Sequence, residues 1–115
     1  MHLDSHQRAK DYIEEILPMK PDALVVGSDE SAIWCCKVLK RKGYEVPGDI
    51  SVFSLGKMPL GEAFDPEITA VDYEYGKIAK RAVEFVIENS KNKNKKILKE
   101  LLPGKILVRE SCKIL

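Results

Sequence analysis

Two short turns hold the residues with the most chemical potential in this chain. Gly27-Ser28-Asp29-Glu30 follows the apolar run Ala23-Leu24-Val25-Val26, and Gly56-Lys57 follows Ile50-Ser51-Val52-Phe53-Ser54-Leu55. The hydroxyl of Ser28 or the carboxylate of Asp29 can accept from the free N–H groups at a helix start. If the two runs are parallel strands, both turns lie at strand carboxyl ends, where ligands sit in open α/β sheets. Asp29 could also be read as a phosphoacceptor, but that chemistry wants a further acidic pair for magnesium, and Gly56-Lys57 offers none. His2 and His6, with Asp4 as the nearest third ligand, read as a frayed start rather than a metal site. Gly27 stands alone, short of a phosphate-cradling glycine loop, and the serines have no nearby histidine base. No catalytic group, metal or cofactor is expected.

The elements that would position these turns come from a chain of 115 residues, enough for one domain. Nineteen Lys+Arg against 18 Asp+Glu leave a net charge of +1, which excludes the basic excess behind strong nonspecific binding to nucleic acid. No apolar run reaches the roughly 20 residues of a membrane span, and the start lacks the apolar stretch of a signal peptide. A cytoplasmic location is expected. Cys35, Cys36 and Cys112 give no CxxC spacing and no disulfide framework, so buried, reduced thiols are expected.

Ala9, Tyr12, Ile13, Ile16 and Leu17 recur at helical spacing from Ser5 to Leu17, and Pro18 and Pro21 end the pattern. Ala23–Val26 is apolar throughout, which predicts a strand buried on both faces. The next helix, from about Glu30 to Arg41, carries Ala32, Ile33, Trp34, Cys35, Cys36, Val38 and Leu39. One stripe against one sheet does not use them all, so a second contact surface is predicted, most simply a subunit interface. Gly43 caps this helix, and Val46-Pro47-Gly48-Asp49 turns into the second strand, which completes a βαβ unit. A loop from Gly56 to Pro66, a short extended segment Ile68–Val71 and an amphipathic helix from about Gly76 to Asn89 follow. The lysine-rich run 90–96 reads as a solvated loop, and 97–102 and 105–109 as two short extended pieces around Pro103-Gly104.

Several stretches taken in order resemble the closing third of LacI/GalR-type transcriptional regulators. They are Gly27-Ser28-Asp29-Glu30-Ser31-Ala32, Val46-Pro47-Gly48-Asp49-Ile50-Ser51-Val52, Pro66-Glu67-Ile68-Thr69-Ala70-Val71 and Ile106-Leu107-Val108-Arg109-Glu110-Ser111. The resemblance covers nearly the whole chain. It implies an α/β fold: parallel βαβ units of an incomplete periplasmic-binding-protein-like (type I) lobe, with a crossover helix and a C-terminal strand. Residues 1–115 would then be the C-terminal portion of an effector-binding and dimerisation domain, with the DNA-binding domain and the first lobe absent. Operator DNA would be reached only through that missing domain.

The same resemblance implies the functional positions. Ser28 and Asp29 stand where family members show Asn-Asp, and Gly56 stands where an Asp usually binds sugar hydroxyls or a purine. Lys57 alters the same strand end, and would suit a ligand carrying a phosphate or carboxylate. Tyr73 and Tyr75 match positions beside the ligand, where an aromatic ring stacks on a sugar face or simply packs in the core. The expected partners are a small-molecule effector, sugar-like and open to being anionic, and a second copy of the chain through Ile33, Trp34 and Phe64. Two other readings stay open: part of a solute-binding protein for transport, and a free-standing self-associating α/β module.

Overall fold

The structure, a computed structural model, describes residues 5–92, 94, 97 and 99–114. Of the positions weighed above, His2 and Asp4 lie outside the described residues, as do Lys93, Lys95, Lys96 and Leu98.

The amphipathic start forms α1 (Ser5–Ile16), which runs into a single 3-10 turn at Leu17–Met19 with Pro18 inside it. Then come β1 (Ala23–Val26), α2 (Asp29–Arg41), β2 (Ser51–Ser54), α3 (Pro59–Glu62), β3 (Thr69–Asp72), α4 (Tyr75–Ser90) and β4 (Lys105–Leu107). The four strands form one open sheet in the order β1-β2-β3-β4, with the first two pairings parallel and the last antiparallel. The expected α/β architecture is borne out, including the C-terminal strand. The extended piece expected at 97–102 is not a strand among the described residues.

The core lies between α1, α2 and one face of the sheet, where Ala9, Ile13, Leu24, Ile33, Val38, Leu39 and Val52 meet. Two sequence expectations are corrected here. β1 is not buried on both faces: it is an edge strand whose residues alternate between exposed and buried, and Val25 is 57% exposed. The register puts Val25 beside Phe53, on the face away from the helices. A continuous apolar run does not by itself distinguish a strand covered on both sides from one with an open face.

The second surface of α2 has a different owner from the one expected. It is covered by α1 within the same chain. Ser5 donates to Glu30 near the start of both helices, His6 packs edge-on against Trp34 with ring centroids 5.2 Å apart, and Glu14 pairs with Lys42 near both ends. Ile33 is 5% exposed inside the chain.

α4 stands apart from this body. None of its residues is buried, and Val83, Val86 and Ile87 remain 57%, 64% and 49% exposed. The radius of gyration is 18.5 Å, against about 13 Å for a compact chain of this length, because α4 projects from the sheet.

Candidate functional site

The parallel strands end on one rim, and backbone hydrogen bonds continue their pairing past the last strand residues. Leu55 donates to the carbonyl of Val26, Asp29 to that of Gly56 at 3.2 Å, and Lys57 to that of Val71 at 2.9 Å. A side chain at Gly56 would begin 3.1 Å from the Gly27 carbonyl, so glycine allows the first two turns to approach this closely.

Ser28 is the N-cap of α2: its Oγ accepts from Ser31 N–H at 3.3 Å, as its residue type suggested. Asp29 behaves differently from its neighbour. Its side chain is fully buried, and its Oδ2 accepts from the amide of Met58 at 2.7 Å. A direct contact between Asp29 and an effector is therefore corrected: the carboxylate points into the protein, where it ties the first rim turn to the second.

Lys57 reaches across the rim to the end of β3. Its Nζ lies 3.1 Å from Asp72 Oδ2 and 3.5 Å from Glu62 Oε1. The hydrogen bond to Asp72 is the main reason the ammonium is held above its ordinary pKa. Asp72 is shifted down in turn, first by the Glu74 amide that donates to its Oδ1 at 2.8 Å and then by Lys57. Glu62 continues the chain of charges, with Arg109 2.7 Å from the same Oε1 while another guanidinium nitrogen donates to the Ile68 carbonyl. The sequence reading placed Lys57 at the rim but assigned no role to Asp72, Glu62 or Arg109. The Lys57–Asp72 and Glu62–Arg109 pairs join residues 15 and 47 apart in the chain, beyond the reach of local spacing.

Tyr73 and Tyr75 follow directly, 38% and 62% exposed, with ring centroids 5.9 Å apart. Tyr75 opens α4, and Tyr73 packs toward Gly104, where a Cβ would come within 3.4 Å of its ring. Ser28, Gly56, Lys57 and both tyrosines thus share one open rim that offers hydroxyls, a cation, a carboxylate and two aromatic faces. Two hollows border the body, the first of them at the rim turn that holds Ser28, where Gly27 and Ser31 line it. One of about 460 Å³ sits beside the end of β1 and includes Tyr12, Val25 and Glu30, and one of about 750 Å³ is bounded by Cys36, Lys40, Tyr44 and Phe64. Phe64 is half-buried against the core, and Trp34 is half-buried with Lys37 Nζ 4.7 Å from its ring centre.

Among the described residues no cluster of three or more His, Cys, Asp or Glu side chains could hold a metal ion, and no helix is long and apolar enough to cross a membrane. Cys35 and Cys36 are buried, and burial pushes their thiols up to about 11 and about 12.

Residues 2–112 match the family model of the periplasmic binding protein-like domain. The chain is 30% identical over 95 residues to the NTD biosynthesis operon regulator of Bacillus subtilis strain 168, covering 80% of this chain and 28% of that protein. Among solved structures it resembles a PurR family transcriptional regulator from Vibrio parahaemolyticus, with a TM-score of 0.83 and 23% identity, over 99% of this chain and 42% of that one. It also resembles a LacI family transcriptional regulator from Enterococcus faecium with bound ribose, with a TM-score of 0.82 and 18% identity, over 96% of this chain and 41% of that one. The chain therefore spans well under half the length of these relatives. It belongs to the periplasmic binding protein-like domain family.

Proposed function

We propose that this chain is the effector-sensing and self-associating portion of a LacI-type transcriptional regulator, without catalytic activity of its own. The observation that carries the effector reading is the rim at the strand carboxyl ends, where Lys57, Asp72, Tyr73 and Tyr75 stand together beside the Ser28 cap. A ligand of many hydroxyls fits this chemistry. Asp72 and the Tyr hydroxyls accept, Lys57 and the Tyr hydroxyls donate, and a tyrosine face suits the apolar face of a sugar ring.

The charge balance favours a neutral sugar over an anionic one. Lys57 lies between Asp72 and Glu62, so its charge is already met by two carboxylates, and an added phosphate would face them as well as the ammonium. The neighbour solved with ribose supports the same ligand class. In a complete regulator the rim would be one wall of a cleft, and a ligand bound more tightly by one arrangement of that cleft would shift operator affinity by the difference. DNA contact would belong to a segment outside this chain, and a cytoplasmic setting fits that role.

The test is titration of the isotope-labelled chain with D-ribose and with ribose 5-phosphate, followed by amide NMR up to about 10 mM, a range suited to a one-walled site. Progressive shifts at Ser28, Lys57 and Tyr73 with ribose, larger than with the phosphate, are expected. Shifts with neither sugar, or spread away from the rim, would overturn the reading.

A further inference from the structure

Asp29 grips the chain on both sides of Lys57. Its backbone N–H donates to the carbonyl of Gly56 at 3.2 Å, and its Oδ2 accepts from the amide of Met58 at 2.7 Å. Between them, the Lys57 amide is held by the Val71 carbonyl. Three consecutive backbone groups are therefore fixed, and the side chain that leaves from the middle one spans Asp72 and Glu62.

The arrangement is costly in ways a purely structural residue would avoid. The carboxylate is fully buried, and Oδ1 has no hydrogen-bond partner. A buried carboxylate with a single donor retains much of its desolvation penalty, which an apolar side chain of similar size would not incur. The fold also keeps a glycine to make room: a Cβ at Gly61 would overlap the Asp29 carboxylate. The carboxylate bonds the loop that bears Lys57, while the Ser31 amide in the first turn of its own helix is taken by Ser28.

From this we infer that Asp29 is the positioning residue of the rim, its buried carboxylate clasping the loop at Met58 so that Lys57 lies between Asp72 and Glu62. The functional meaning of this clasp rests on the effector reading above, but the clasp is observable with no ligand present. Failure of sugar binding and failure of the clasp are therefore separate results.

Asp72 reports the position of Lys57. The groups that face its carboxyl are Lys57, Lys105 and the Glu74 amide, and only Lys57 sits on the clasped loop. The experiment is a carboxyl-carbon NMR titration of Asp72 in the full 115-residue chain, for the wild type, Asp29→Ala, Asp29→Asn and, as a reference for a missing ammonium, Lys57→Met. Asp29→Ala is expected to raise the Asp72 midpoint toward that of Lys57→Met. Asp29→Asn keeps an oxygen that can accept from Met58 and is expected to hold the wild-type midpoint. A role confined to favouring the positive end of α2 would lower stability in Asp29→Ala and leave the midpoint in place. That result in a folded variant overturns the assignment. Should Asp29→Ala lose its native amide spectrum, hydrogen exchange at Met58 in the wild type decides: slowed exchange supports the clasp, and exchange at the rate of an open loop amide overturns it.

Discussion

Gly61 and Asp29, 32 positions apart in the chain, occupy one space: the backbone of α3 passes so near the carboxylate that a methyl group at Gly61 would overlap Oδ2 and press on Cγ. α3 is a single turn, and Gly61 is its buried residue. Gly61→Ala must push the carboxylate off Met58 or move α3 outward, and overpacking of this kind costs about 1–3 kcal/mol. Urea unfolding is expected to show that loss. In the Asp29→Ala background the same substitution finds vacated space, so its cost is expected to fall well below the single-variant value. Additive losses in the two variants would separate the residues.

The Lys57–Asp72 pair gives stability a defined pH dependence. Asp72 is held below its ordinary value when folded, so its contribution is complete above the unfolded carboxylate range and is lost as pH falls from about 4 through the folded midpoint. Lys57 is held above its ordinary value, so its contribution is complete below the unfolded lysine range and is lost as pH rises through the folded midpoint. Urea midpoints measured across pH are expected to fall less steeply on the acid side in Asp72→Asn than in the wild type. Identical acid slopes would remove Asp72 from the account. Both side chains are partly open to water, so added salt is expected to weaken the effect.

Ser111 is fully buried, with its Oγ donating to the Val52 carbonyl at 2.5 Å and accepting from the Thr69 amide at 2.8 Å. One hydroxyl thus closes a gap between β2 and the start of β3. Ser111→Ala leaves the Thr69 N–H without its partner, a penalty of about 1–3 kcal/mol before relaxation, while the Val52 carbonyl keeps only the weak Cys112 thiol at 3.3 Å. Urea unfolding is expected to show a loss of at least about 1 kcal/mol, and a change within measurement error would mean that the strands close the gap themselves.

How much of this was legible follows from where the partners lie. The Ser28 cap, the end of α1 near Pro18 and the βα alternation are local, and residue type with spacing was enough. The buried aim of Asp29 was not legible, because Met58 and Gly61 lie 29 and 32 residues on, and nothing near Asp29 signals them. The owner of the second face of α2 was missed for a related reason. Periodicity counts apolar positions but does not say which surface covers them, and α1 satisfied a demand that had been assigned to another subunit. Arg109-Glu110-Ser111 was visible as a resemblance, while its physical content, three side chains that bond Ile68, Glu67 and Thr69, needed the fold.

Burial sets the order in which the cysteines react. With thiols pushed up to about 11 and about 12, Cys35 and Cys36 are protonated at neutral pH and enclosed, whereas Cys112 is half-buried. Peptide mass analysis after brief iodoacetamide treatment at pH 8 is expected to find label on Cys112 first, with Cys35 and Cys36 labelled only as the chain opens. Early label on Cys36 would mean that α2 leaves the core readily.

The proposed self-association through α2 and Phe64 is tested by one kind of substitution and not by another. Ile33 is 5% exposed and joins the core, so Ile33→Asp places a charge inside the fold and is expected to cost more than about 3 kcal/mol whether or not a dimer exists. A monomer seen with that variant would say little about an interface. The informative positions border the hollow at Phe64, where Lys37 and Lys40 are exposed and only the Lys37 ammonium meets a core-packed side chain, the ring of Trp34. Light scattering of the wild type at about 10–200 µM, a range that brackets micromolar association, is expected to show a dimer. Lys37→Glu with Lys40→Glu, together or alongside Phe64→Lys, is expected to shift it to monomer, while the stability of the charge variant in urea falls by no more than about 1 kcal/mol, the worth of the exposed Lys37–Trp34 contact. A dimer indifferent to all three substitutions would place the contact on another surface, and the exposed apolar side of α4, with Val83 and Val86, would be the next to substitute.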